Sequence, residues 1–199
     1  MHTTLRHIAL ALLSAALAWP AISAAQSYPT RTIRIIVPYA PGGSTDVVFR
    51  LLAPRLAEDF GQPVVVDNRP GGSSTIGLDL AAKSPPDGHT WGTPNITFGA
   101  NPSLIKKMPF DSEKDLLPVS QVAVVTMVLS LHPSVPAKSV KQLIALAKAR
   151  PGELNFSSAG NASANHLATA KFMHMSGAKL THIPYQGGGP AAAALLGGQ

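Results

Sequence analysis

A short β-branched run, a loop of small residues and then a helix-forming stretch recur along this chain, and no other feature restricts its fold as strongly. Thr32 to Val37 (TIRIIV) reads as a buried strand, and the turn-forming PYAPGGSTD follows it. A helix is expected from about Asp46 to Phe60, with Val47, Val48, Leu51, Leu52 and Leu56 on one apolar stripe, Pro54 kinking it and Gly61 ending it. Val64 to Val66 makes a second strand. It leads through DNRPGGSS to a short helix over Thr75 to Ala82, and a third strand is expected over His89 to Thr93. Asn101 to Ile105 reads as one helical turn and Leu117 to Leu131 as strand-rich. The pattern then restarts. Ser139 and Gln142 form a capping box before Val140, Leu143, Ile144 and Ala147 at helical spacing. Strands at Leu154 to Phe156 and Leu180 to Tyr185 flank a helix over Ala164 to Met175 that Gly177 stops, and a last helix runs from the Gly187 to Gly189 run to Leu196. Each helix returns the chain to the same end of a sheet, so the alternation predicts an α/β fold with mainly parallel strands. The restart at 126–138 predicts two lobes, residues 26–125 and 126–199.

Residues 1–25 read as a cleaved leader. Arg6 and His7 precede the uncharged apolar run from Ile8 to Trp19, and Ser23-Ala24-Ala25 supplies the small residues a signal peptidase reads. That run is shorter than the ~20 residues a bilayer span needs, and no later stretch is long and apolar enough. The expectation is an exported, periplasmic protein with no membrane insertion after cleavage. The absence of cysteine excludes disulfides, iron–sulfur clusters and thiol nucleophiles. The net charge of +6 is spread without clusters and aromatics are sparse at 6%, which argues against nucleic-acid binding.

Chemistry is expected at the loops. Ala40 to Asp46, Pro70 to Ser74, Ser157 to Ser163 and Gln186 to Gly189 each follow a strand and precede a helix. In open α/β sheets such loops lie at the carboxyl ends of the strands, where ligands bind, and helix N-termini there offer N–H groups and partial positive charge to an anion. Any one of these runs could be an ordinary turn; four in series point to a site. Enzyme motifs are absent or incomplete. Gly42-Gly43-Ser44-Thr45-Asp46 misses G-x-S-x-G by its last glycine, no Walker lysine or G-x-G-x-x-G occurs, and the S-x-x-K at Ser103 to Lys106 lacks its companion motifs. His166 and His174 on one helix lie about 80° apart around its axis, so they form no metal pair. Asp46 in a first helical turn complements the dipole but would repel an anionic ligand. Tyr39 and Tyr185 flank the loops and could line a cleft or simply pack. No metal or cofactor is expected. The competing reading is an exported acyl-transfer enzyme using Ser44 or Ser103.

Several of these segments in order, namely IRIIVPYAPGGSTD, GQPVVVDNRPGG, PPDGHT, NPSL, SVPAKSVKQLIALAKARPGELNFSSAGNASANHLA and HIPYQGGGPAAAALLGGQ, resemble the Bug family, the TctC-like periplasmic solute-binding receptors of tripartite tricarboxylate transporters. The resemblance covers essentially all of residues 26–199. It implies a two-lobed periplasmic-binding-protein fold that captures a small carboxylate (a tricarboxylate, dicarboxylate, amino acid or aromatic acid) and presents it to membrane transporter subunits, without catalysis. The family's ligand loops, carried onto this sequence with the flanking tyrosines, are Tyr39, Ala40, Gly42, Gly43, Ser44, Thr45 and Asp46 in the first lobe. In the second they are Ser157, Ser158, Ala159, Gly160, Asn161, Ser163, His166 and Tyr185. The stretch WGTPNITFGANPSL and Pro54 depart from the family pattern. Family members also continue past LLGGQ, so both lobes are expected to be incomplete, and a truncated, non-functional relic of such a receptor is the alternative.

Overall fold

The computed structural model describes residues 28–199, so the expected leader lies outside the described residues. The elements in chain order are β1 (Ile33–Val37), α1 (Ser44–Phe60), β2 (Val64–Asn68), α2 (Thr75–Ala82), β3 (Thr90–Gly92), α3 (Asn101–Leu104), α4 (Val140–Ala149), β4 (Asn155–Ser158), α5 (Ala164–Ser176), β5 (Thr181–Pro184) and α6 (Gly188–Leu196). One sheet has the order β2-β1-β3 and a second pairs β4 with β5; every pairing is parallel. Among the described residues no helix is long and apolar enough to cross a membrane.

β1 is central, and Ile33, Ile35, Ile36 and Val37 are all fully buried. Covered on both faces, such a strand reads as a continuous apolar run rather than an alternating one. Its register runs from Ile33 opposite Val64 to Val37 opposite Asn68, and from Arg34 opposite Thr90 to Ile36 opposite Gly92. Ile33, Ile35, Val37 and Tyr39 form one core cluster, packed by Phe49, Leu56 and Phe60 of α1. The buried stripe of α1 differs from the expected one. Leu51 is 74% exposed and Val47 is also exposed, while Asp46 and Ala53 are buried with Phe49 and Leu56 half-buried beside them. Of the expected stripe Leu56 does pack on the core, while Val47 and Leu51 turn to solvent, and the face that meets the sheet carries Asp46, Phe49, Ala53 and Leu56. Pro54 sits on the exposed side of an unbroken helix, and Gly61 ends that helix in the left-handed region.

The expected strands between Leu117 and Leu131 do not form. Leu117, Val119, Val124 and Val128 are more than 80% exposed, and this stretch has no ladder partner among the described residues. β-branched residues favour a pleated surface only when there is one to pack against. The stretch from Ser139 onward forms the expected elements more closely. Ser139 accepts a hydrogen bond from the Gln142 amide at 3.2 Å, and the Gln142 side chain accepts from the Lys138 amide at 2.6 Å, so the box fixes the start of α4. Ser139→Ala is expected to cost about 1 kcal/mol in a urea melt; a change under ~0.3 kcal/mol would mean water replaces the cap without loss. Leu143 and Ala147 bury the inner face of α4, and α6 lies on β4 with Ala191 and Ala194 buried.

Candidate functional site

The loops that leave the carboxyl ends of β1, β2, β4 and β5 converge on a cavity of about 330 Å³. Its first wall, beside the β2-β1-β3 sheet, is Pro38, Tyr39, Gly71, Gly72, Ser73, Ser74 and Thr97; its second wall, beside β4 and β5, is Ala159, Gly160, Asn161, Ser163, Pro184, Tyr185 and Gln186. This volume is at the lower end of the ~300–1,000 Å³ usual for small-molecule sites.

On the first wall the backbone turns through four consecutive residues of positive φ: Gly71 at 118°, Gly72 at 56°, Ser73 at 55° and Ser74 at 75°. The two glycines take this without steric cost, whereas each serine stores about 1–2 kcal/mol there. The Thr75 hydroxyl donates to Gly72 O at 2.6 Å, and fully buried Asn101 donates to Ser73 O at 3.2 Å, which braces the turn. α2 starts from this turn with no side-chain cap, and its first amide, Thr75 N–H, donates to Gly72 O. Tyr39 is 8% exposed and its hydroxyl has no hydrogen-bond partner, although Thr97, Ser74 and Asn95 surround it. Burial pushes the phenol above its ordinary range, against the opposing pull of those polar neighbours.

The second wall is held from behind. Ser158, 1% exposed, has its hydroxyl 2.6 Å from His182 Nε2 and also accepts from the Gly160 amide at 3.2 Å. The Ala162 amide donates to His166 Nδ1 at 3.1 Å, and Ser163 caps α5 by accepting from the His166 amide at 3.3 Å. Ala162, at φ 58°, is another non-glycine residue in the left-handed region.

Of the residues singled out from the sequence, Tyr39, Ala159, Gly160, Asn161, Ser163 and Tyr185 line this cavity, and the other nine lie outside it. Ser158 and His166 stand behind the wall. Ser157 donates to Ala191 O at 3.0 Å and so ties β4 to α6. Ala40, Gly42 and Gly43 pack backbone to backbone on the Gln186–Gly189 loop: the Ala40 amide donates to Gln186 O at 2.8 Å, and a β-carbon on Gly43 would lie 3.4 Å from the Gly188 nitrogen. Ser44 and Thr45 begin α1. Asp46 is 2% exposed and already saturated. It accepts from the Gly42 amide, the Asn68 side chain and Arg50, so the Gly42 N–H expected to face a ligand is taken by the protein itself. Gly71 to Ser74 and Gln186 belong to loops the sequence marks as small-residue runs, but Thr97 carries no such signal and reaches the cavity only through the fold. Ser44 and Ser103 are exposed, and among the described residues neither has a histidine partner.

Comparison with known proteins places these features in context. The sequence matches the family described as "Tripartite tricarboxylate transporter family receptor" over residues 48–199. It is 45% identical to Protein BugT of Bordetella pertussis (strain Tohama I) over 176 residues, covering 87% of this chain and 54% of BugT. Among solved structures, R. palustris Rpa4515 with adipate superposes with a TM-score of 0.81 at 38% identity, covering 84% of this chain and 56% of that one. MatC from Rhodopseudomonas palustris with bound malate does so with a TM-score of 0.81 at 30% identity, covering 86% and 59%. The chain thus spans a little over half the length of the relatives it matches.

Proposed function

The chain belongs to the tripartite tricarboxylate transporter receptor family, and from that premise we propose that it is an extracytoplasmic solute-binding protein that captures a small carboxylate in the cavity between its two sets of strand-end loops. The observation that carries this reading is the cavity itself. It is walled by the Gly71–Ser74 turn on one side and by Ala159–Asn161 with Ser163 on the other, with Tyr39, Tyr185 and Gln186 also lining it, and the buried Tyr39 hydroxyl has no hydrogen-bond partner. A carboxylate lodged there meets the Gly71–Ser74 turn and the serine hydroxyls of both walls. Three charge-assisted hydrogen bonds at about 1.5–3 kcal/mol each suffice for roughly micromolar affinity after ordering costs. On this reading the two lobes are residues 26–125 and 126–199, released into the periplasm by cleavage of a leader over residues 1–25. The liganded, closed form is what membrane transporter subunits recognise.

Adipate and malate, which occupy two of the related structures, are the first acids to try. Isothermal titration of the purified chain with adipate, malate, citrate and glutamate, beside a neutral sugar, is expected to give micromolar binding for at least one acid. Binding of the sugar alone, or of none of the acids, rejects the carboxylate assignment.

A further inference from the structure

Behind the second wall, three rings from three elements lie against one another. His166 of α5 and His182 of β5 stack with centroids 4.0 Å apart and planes 8° from parallel, and Phe156 of β4 stacks on His182 at 4.8 Å. Each histidine also holds one residue of the wall. His182 Nε2 lies 2.6 Å from the buried Ser158 hydroxyl, which accepts the Gly160 amide and also lies 3.1 Å from Gly160 O. His166 Nδ1 accepts the Ala162 amide and keeps that residue in its left-handed conformation.

We propose that His166 and His182 are positioning residues of the cavity: as a neutral stacked pair they hold the Gly160–Ala162 wall in its lining geometry, and proton uptake releases it. The inference rests on the cavity being the ligand site, but the wall's response can be read without ligand. His166 Nδ1 accepts the Ala162 amide, and a proton placed on Nδ1 would turn that acceptor into a donor pointing at the Ala162 N–H. A charge on either ring also faces the other ring 4.0 Å away. Around the pair, β4 contributes Phe156 and Ser158, and α6 carries no ionisable side chain. The remaining ionisable groups of α5, Lys171 and His174, are both exposed. His182 is therefore opposed only by burial and by His166, both of which hold it below the ordinary histidine range. The sign follows. A depressed histidine pKa favours the neutral, stacked form, so the wall is fully held above about pH 6.5 and loosens as pH falls below it.

The test is an NMR titration of the 199-residue chain between about pH 8 and pH 5, following the histidine rings and the Gly160 and Ala162 amides. The expected result is that both amides shift with the histidine midpoint. His166→Asn, which keeps an acceptor but does not titrate, should abolish the Ala162 transition, and His182→Gln should do the same for Gly160. Amides that stay silent while the histidines titrate, or transitions that persist in both variants, overturn the proposal. Calorimetry with adipate, malate, citrate and glutamate supplies the functional arm. Affinity should fall about tenfold from pH 7.5 to pH 5.5 in the unaltered chain, and less than about twofold when His166→Asn and His182→Gln are combined. If none of adipate, malate, citrate and glutamate binds at pH 7.5 while the amide transitions are present, the assignment of the cavity fails and the role of the histidine pair in holding the wall stands.

Discussion

Asp46→Ala is expected to destabilise the fold by about 3 kcal/mol at neutral pH, measured by urea unfolding. The carboxylate is 2% exposed and joins the start of α1 to both neighbouring strand ends. It accepts the Gly42 amide at 2.9 Å, the Asn68 side chain at 2.9 Å and Arg50 Nε at 2.9 Å, while Asn68 donates in turn to Tyr39 O at 3.0 Å. Truncation leaves an amide and a carboxamide without their acceptor. Arg50 is half exposed and can turn to water, which keeps the loss at the lower end of the ~3–5 kcal/mol seen when buried pairs are broken. Burial alone would raise the Asp46 pKa, but the hydrogen bonds from Arg50, Gly42 and Asn68 outweigh it and hold the group below its ordinary value of 3.8. A depressed carboxylate pKa contributes stability that is present above the unfolded value and lost as pH falls through the folded one. The difference between the parent chain and Asp46→Ala should therefore shrink below about pH 4. A pH-independent difference, or one under ~1 kcal/mol, would mean the carboxylate is not the joint described.

That joint illustrates what could be read from the residues and what could not. The order of strands, loops and helices was legible because β-branched runs, glycine stops such as Gly61 and Gly177, and the Ser139–Gln142 box act locally, through periodicity and capping within a few residues. The phase of α1 was not. Val47 and Leu51 satisfy helical spacing with Leu56 as well as Phe49 and Ala53 do, and the choice is made by the sheet and by Asp46 reaching Asn68, which are contacts of long sequence separation. Leu117 to Leu131 has the composition of strands, but the fold decides whether a partner exists. The candidate cavity was legible in its loops, since small residues at strand ends announce close backbone approach. Which loops face the cavity and which face each other was not, because glycines that admit a ligand and glycines that admit another backbone look identical in sequence. Tyr39 and Thr97 meet near the floor of the cavity only because β1 and the turn after β3 end side by side.

Gly189→Ala separates those two uses of glycine. A β-carbon at Gly189 would lie 2.5 Å from Pro41 O and 3.1 Å from the Gly42 carbonyl carbon, both backbone atoms of the opposite lobe, so no flexible side chain can give way. Gly189 does not occupy the left-handed region, and the substitution adds no backbone strain of its own. Its whole effect must come from pushing the Pro41–Gly43 and Gln186–Gly189 loops apart by several tenths of an ångström. This also stretches the 2.8 Å bond from the Ala40 amide to Gln186 O and shifts Tyr185 and Gln186, which wall the cavity. Overpacking of this kind costs about 1–3 kcal/mol of stability. A displaced wall should also weaken carboxylate binding at least about tenfold, because hydrogen bonds to main chain tolerate little misplacement. Gly99→Ala is the matched control: a β-carbon there meets nothing within 4 Å, so both stability and affinity should stay close to those of the parent chain. Loss of stability in Gly189→Ala with undiminished affinity would show that the two glycine loops part when ligand binds, and that the second wall is set by Ala159 to Ser163 alone.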